Sequence, residues 1–323
     1  MKKNAFGPLG QVSALTLGGG GIGQLWGTTG RDECVATIHA AMDAGIDLLD
    51  TAPMYGNCEA IVAETFGGKL PAGLRVTTKC GLGTPPPGAV EKTLTQSLEA
   101  SLKAMMLERV DIFFLHSNIC ADDYVYANRP DRQDGFATRW SVYADLVIPA
   151  FEKLKAAGKI AAWGITASGV PDTIERALKH KPKPGFAQVV TNLLDSAGSL
   201  RRYAEPARPR DILKTAVDDG VGVLGIRAVQ AGALTAQVDR ELSPNNPDAK
   251  DYLRAAPFRA LCHEIGADPA MVAHRYALSM PGVATVILGV KNRDELRQCV
   301  EAEAVGPLPP DLMARIDGLG LRV

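Results

Sequence analysis

Four polar side chains stand out because each lies at or just beyond the end of a short apolar run. Asp50 ends Leu48-Leu49-Asp50, with Tyr55 five residues further on; Lys79 ends Val76-Thr77-Thr78-Lys79; His116 ends Phe113-Phe114-Leu115-His116. A free phenol has a pKa of about 10, too weak an acid to protonate a developing alkoxide well at neutral pH. A neighbouring ammonium favours the phenolate and lowers that value. An aspartate paired with the lysine fixes its position and keeps it charged, and a histidine beside the phenol orients a carbonyl or shares the proton. Together they make a tunable acid and base for reducing a carbonyl or oxidising an alcohol. None of the four can deliver a hydride, so a nicotinamide cofactor is required.

Singly, each residue has an ordinary explanation. Asp50 suits a strand-end cap, Tyr55 a loop aromatic, Lys79 a solvated strand end or a Schiff-base lysine, and His116 a core histidine. Their joint placement after three successive apolar runs carries the reading.

Such convergence needs a scaffold that ends several strands on one rim. Apolar runs recur at 14–17, 48–51, 74–78, 110–115, 160–166, 186–191, 221–226 and 284–288. They are rich in leucine and β-branched residues and lack clean alternation, as strands buried on both faces do. Helical segments lie between them at 31–44, closed by Gly45, at 89–107, with a Leu/Met stripe, and at 141–157, closed by Gly158. Ser168 suits a cap with Pro171 in the first turn, 205–218 reads as helix, Asp268-Pro269 opens another, and 292–302 and 309–319 complete the set. Eightfold alternation predicts a closed α/β (β/α)8 TIM barrel spanning 1–323 as a single domain, with an N-terminal β-hairpin and long C-terminal-face loops. A doubly wound open sheet is the alternative. The stretches 117–140 and 231–257 exceed ordinary connections and read as binding loops.

One motif points elsewhere. Gly18-Gly19-Gly20-Gly21-Ile22-Gly23 fits G-x-G-x-x-G, the dinucleotide fingerprint. Yet helical periodicity starts only after Gln24–Gly30, and Asp43, at the expected distance, falls inside that helix. The stretch reads instead as a flexible loop whose glycines let the backbone approach a ligand.

Composition bounds the rest. Of 323 residues 46% are hydrophobic, which excludes a disordered chain, and 35 basic against 36 acidic residues give −1, which lends no electrostatic support to a nucleic-acid or membrane partner. The first eight residues carry two lysines without an apolar segment behind them, and no apolar run approaches the roughly 18 residues of a membrane span. Six cysteines without C-x-x-C pairs suggest a reducing, cytoplasmic setting; no metal motif is seen. A monomer is the default, with a homo-oligomer as the alternative.

At its polar residues the sequence resembles the aldo-keto reductase family. The family pattern Gly-Ile-x-x-x-Asp-Thr-Ala-x-x-Tyr-Gly stands here as Gly45-Ile46-Asp47-Leu48-Leu49-Asp50-Thr51-Ala52-Pro53-Met54-Tyr55-Gly56. The resemblance spans nearly the whole chain and implies a catalytic tetrad of Asp50, Tyr55, Lys79 and His116, with a nicotinamide dinucleotide lying across the C-terminal rim. Thr166 and Gln188 match contacts to the carboxamide, with Asp50 beside them; Ile226 stands where an aromatic usually stacks on the nicotinamide. Arg227, Gly232 and Leu234 match the pyrophosphate region, and Gly21 and Gly289 are implied as further cofactor positions. Lys291 and Asn292, with Arg293, suit a 2′-phosphate, and Gln298 suits the adenosine. Against this, Glu295 stands where many members carry arginine and Cys299 where many carry asparagine. The expectation is an NADP-dependent aldo-keto reductase of the alcohol dehydrogenase type, with NAD as the alternative.

The substrate is expected to be a small-molecule carbonyl (aldehyde, ketone or aldose) held by Trp26, Tyr55 and His116. In the 117–140 loop, Tyr124, Tyr126, Arg129, Arg132, Phe136 and Trp140 suggest a ring-bearing or acidic aldehyde. Two other functions fit parts of the sequence: a barrel lyase or aldolase with Lys79 as Schiff base, and a nucleotide-sensing binding protein with little turnover.

Overall fold

The computed structural model describes residues 1–127 and 130–323. Eight parallel strands form a closed barrel: Leu15–Gly18, Leu48–Asp50, Arg75–Cys80, Val110–Leu115, Ile160–Thr166, Phe186–Val190, Gly222–Ile226 and Val283–Leu288. Each pairs with the next in chain order, and the last pairs with the first, Val286 opposite Leu15. That closing pair excludes the open sheet.

Alternation along the strands divides the labour. Leu15, Leu17, Leu49, Val76, Phe113 and Leu115 belong to the core shared with the surrounding helices. Leu48, Ile112, Phe114, Ala162, Phe186 and Leu224 form a separate apolar layer inside the barrel. Because side chains alternate with period two, one or two further steps along the same strands reach Asp50, His116, Thr166, Gln188 and Ile226 at the rim. An N-terminal hairpin, Lys3–Ala5 with Gln11–Ser13, closes the floor; its Phe6 ring packs 4.4 Å from that of Phe186.

The expected helices are present, with shifted ends. Arg31–Asp43 stops before Gly45, whose φ of +87° is easy only for glycine. The helix after the fifth strand starts at Pro171 behind Val170, not behind Ser168, whose hydroxyl accepts instead from Asn118 at 3.0 Å. The helix Cys58–Phe66 was not anticipated. Within 231–257 lies the helix Pro247–Arg254, capped by Asn246. Within 117–140, Asn118–Cys120 pairs in parallel with Ala137–Arg139. Among the described residues no helix is long and apolar enough to cross a membrane.

The glycine stretch departs most from expectation. Gly19–Ile22 is a buried helical turn rather than a flexible loop. A Cβ on Gly21 would lie 1.9 Å from the Val290 carbonyl oxygen, and one on Gly23 would lie 1.7 Å from that of Tyr55. The glycines bring the loops after the first, second and eighth strands into backbone contact.

Candidate active site

Three strand ends bring the four predicted residues together. Register sets Asp50 opposite Thr77 and Lys79 opposite Phe114, so their side chains enter the barrel top from adjacent strands. Lys79 is completely buried, and its Nζ donates to Asp50 Oδ2 at 2.7 Å and to the Thr51 carbonyl at 2.9 Å. The ammonium lies 4.5 Å from the centre of the Tyr55 ring. Tyr55 and His116 meet edge to face with centroids 6.0 Å apart. Asp50 also accepts from Thr77 Oγ1 at 2.8 Å and Gln188 Nε2 at 2.6 Å, so its carboxylate is held by three donors.

Electrostatics assigns each group a state. Burial acts to neutralise Lys79, but the Asp50 carboxylate and the Tyr55 oxygen together more than offset it, and the ammonium is held above its ordinary range. Burial pushes the Tyr55 phenol upward, with Lys79 pulling it down. The influence expected of Lys79 is thus present, but burial outweighs it, and the phenol is fully protonated at neutral pH. Burial, with help from Lys79, pushes His116 down to about 3, so its imidazole is neutral. A Schiff-base role for Lys79 is contradicted by its pairing: a charged lysine clasped by a carboxylate has no lone pair for a carbonyl carbon.

A cavity of about 770 Å³ opens beside this cluster, lined by Trp26, Asp50, Tyr55 and His116 and by the rim of the later strands. Thr166, Gln188, Ile226, Arg227 and Gly232 line it as expected. Thr166 donates to the Leu115 carbonyl at 3.2 Å and keeps its lone pairs; Gln188 commits Nε2 to Asp50 and keeps its oxygen. These groups, with the apolar Ile226 wall, fit a carboxamide-bearing ring. Arg227 is not a free cation: it is ion-paired with Asp248, and its Nε donates to Gln230 Oε1 at 2.8 Å. Gly289, Lys291 and Gln298 line the cavity too.

Three expected cofactor positions lie elsewhere. Gly21 packs against the Val290 backbone, Leu234 is buried in the helical core, and Asn292 caps the helix Arg293–Val305 by accepting from Glu295 N. The expected substrate loop is also rearranged. Tyr124 and Tyr126 pack with Phe136 in a cluster of their own, Trp140 is buried in the main core, and Arg132 points to solvent beside Asp131. Among the described residues of that set Phe136 alone lines the cavity; Arg129 lies outside the described residues.

Other lining residues were not anticipated from the sequence. Leu200 and Arg202 come from the connection after the sixth strand, with the Arg202 guanidinium 4.5 Å from the Phe136 ring centre. The one available signal was the length of that connection. His274, on the helix Pro269–Ser279, also lines the cavity and lies 3.6 Å from Cys299 Sγ.

Comparison with known proteins agrees with this geometry. The family model described as Aldo/keto reductase family matches residues 14–320. The chain is 27% identical to L-galactose dehydrogenase of Arabidopsis thaliana, covering 90% of this chain and 84% of that one. It is 24% identical to D-threo-aldose 1-dehydrogenase of a Pseudomonas species, over 94% and 93% of the two chains. The holo form of an aldo-keto reductase from Bacillus halodurans superposes with a TM-score of 0.70 at 22% identity, covering 99% of this chain and 96% of the other, a likeness of fold. The family match runs through all eight strands and every member of the rim cluster, so this oxidoreductase belongs to the aldo/keto reductase family.

Proposed function

We propose that the chain interconverts a small carbonyl compound and its alcohol, with Tyr55 as the group that gives and takes the proton. The single observation carrying this is the buried Lys79 ammonium, held between Asp50 and the Thr51 carbonyl and close to the ring of a cavity-lining phenol. When bound, a nicotinamide dinucleotide supplies the electron pair and hydrogen that none of these side chains can. Thr166 and Gln188 would hold its carboxamide and Ile226 would wall its ring.

In the reducing direction a substrate carbonyl oxygen accepts the Tyr55 hydroxyl proton as negative charge develops on it. Burial keeps that proton in place at neutral pH, and the nearby ammonium lowers the cost of the phenolate left behind. Asp50 holds the ammonium in position. The neutral His116 imidazole orients the carbonyl without adding a second positive charge. After turnover the phenolate regains a proton from water, which balances the reaction.

The mixed wall of Trp26, Met54, Phe136, Asn118 and Arg202 suits a small polar carbonyl, and the sugar dehydrogenases among the relatives make an aldose the first substrate to try. NADP, the dinucleotide expected from Lys291, Asn292 and Arg293, has less support than NAD once the partners of those residues are considered. The test is Tyr55→Phe. We expect kcat for carbonyl reduction to fall roughly a hundred- to ten-thousand-fold while dinucleotide binding persists. Normal turnover by that variant would end the assignment.

A further inference from the structure

We infer that the adenosine end of the cavity is built for a ribose with a free 2′-hydroxyl, so that the chain takes NAD(H) in preference to NADP(H), with Glu295 as the discriminating residue. This rests on the reading that a nicotinamide dinucleotide fills the cavity with its reactive ring beside Tyr55. Tyr55 and His116 line the same cavity as Lys291, Glu295, Gln298 and Cys299. With the ring at the phenol, the other end of the ligand reaches the first turns of the helix Arg293–Val305.

A 2′-phosphate carries about −1.5 to −2 charges at neutral pH and calls for cations or N–H groups without other partners. The residues in place to meet it are already engaged. Lys291 Nζ pairs with Asp239 and lies 3.4 Å from Glu295 Oε1. The Lys291 amide donates to Glu295 Oε2 at 2.8 Å, and the Glu295 amide donates to Asn292 Oδ1 at 2.9 Å. Arg293 is turned to Glu33, donating through its amide at 2.9 Å and its guanidinium at 2.8 Å. Arg240 pairs with Asp239 at 3.1 Å.

Charge therefore cancels before any ligand arrives: Lys291, Arg293 and Arg240 stand against Asp239, Glu295 and Glu33. A phosphate here would add its charge beside the Glu295 carboxylate and find the Arg293 and Glu295 amides occupied. A ribose hydroxyl needs the opposite, an acceptor, and Glu295 presents one in the cavity wall.

The test titrates the full chain with NADH and NADPH by nicotinamide fluorescence, and with 5′-AMP and 2′,5′-ADP by calorimetry. The same titrations are run on Glu295→Gln and Asp239→Asn. We expect NADH to bind at least tenfold tighter than NADPH, about 1.4 kcal/mol, and 5′-AMP to bind tighter than 2′,5′-ADP. Glu295→Gln should narrow the gap at least threefold by strengthening NADPH, and Asp239→Asn, which frees Lys291, should act in the same direction. Wild-type protein that binds NADPH as tightly as NADH overturns the inference alone. A ratio unchanged in both variants, with melting curves like the wild type, overturns Glu295 as its source. Binding of neither dinucleotide sinks the underlying reading as well.

Discussion

Replacing Gly23 with alanine would put a methyl carbon 1.7 Å from the Tyr55 carbonyl oxygen and 3.0 Å from that of Gly19. Real contacts of this kind do not fall below 3.0 Å, so the Tyr55 peptide and the glycine turn must separate by at least 3.0 − 1.7 = 1.3 Å. Neither side is a flexible side-chain tip. The Gly23 amide is tied to the Gly19 carbonyl at 2.7 Å, and the Tyr55 carbonyl accepts from Cys58 N at 3.1 Å. The strain therefore falls on the segment that aims the phenol. Misplacing a reacting group by about 1 Å costs on the order of a hundredfold in rate, or about 2.7 kcal/mol of barrier; overpacking removes a further ~1–3 kcal/mol of stability. Steady-state reduction of an aldehyde under saturating dinucleotide measures the first, and guanidinium unfolding the second. Gly88→Ala is the control, because nothing lies within 4 Å of the Cβ it would gain. A Gly23→Ala protein with wild-type kcat would refute the claim that this contact positions Tyr55.

Asp50→Asn removes the counter-charge of a lysine with no exposure to solvent; breaking such a buried pair costs about 3–5 kcal/mol, and an unchanged denaturation midpoint would contradict it. His116, pushed down to about 3 by burial and by Lys79, gives no ionisation in the working range, so kcat/KM for reduction should be flat from about pH 5 to 8; a break near the ordinary value of about 6.5 would count against a neutral imidazole. The same depression makes the unfolded chain take up the His116 proton first. Its contribution to stability is therefore present above about pH 6.5 and lost as pH falls toward 3, and Tm in His116→Gln should decline less steeply over that window. Arg132→Ala should leave the substrate profile unchanged because that side chain is 76% exposed beside Asp131, whereas Arg202→Ala, on the cavity wall, should alter it; the reverse pattern would mean the loop closes differently.

The barrel was legible because strands buried on both faces leave unbroken apolar runs, and the tetrad was legible because each run ends on, or just before, a polar residue. Helix Cys58–Phe66 escaped notice because it follows the Tyr55 turn directly and spans only nine residues. Leu200, Arg202 and His274 reach the cavity by tertiary placement, with no local motif. The cations near the last helix show a deeper limit. A sequence displays Lys291 and Arg293 as charges but not their partners, and Asp239 and Glu33 are 52 and 260 residues away along the chain. Composition at a site is local, whereas its net charge is a property of the fold.

The hairpin beneath the barrel closes its lower end. Phe6 and the apolar layer above it line that base with hydrocarbon. If Tyr55 gives up its proton as proposed, a hydrocarbon base favours its replacement through the mouth that also admits substrate. On that reading, recharging the acid and releasing the alcohol share the same entrance.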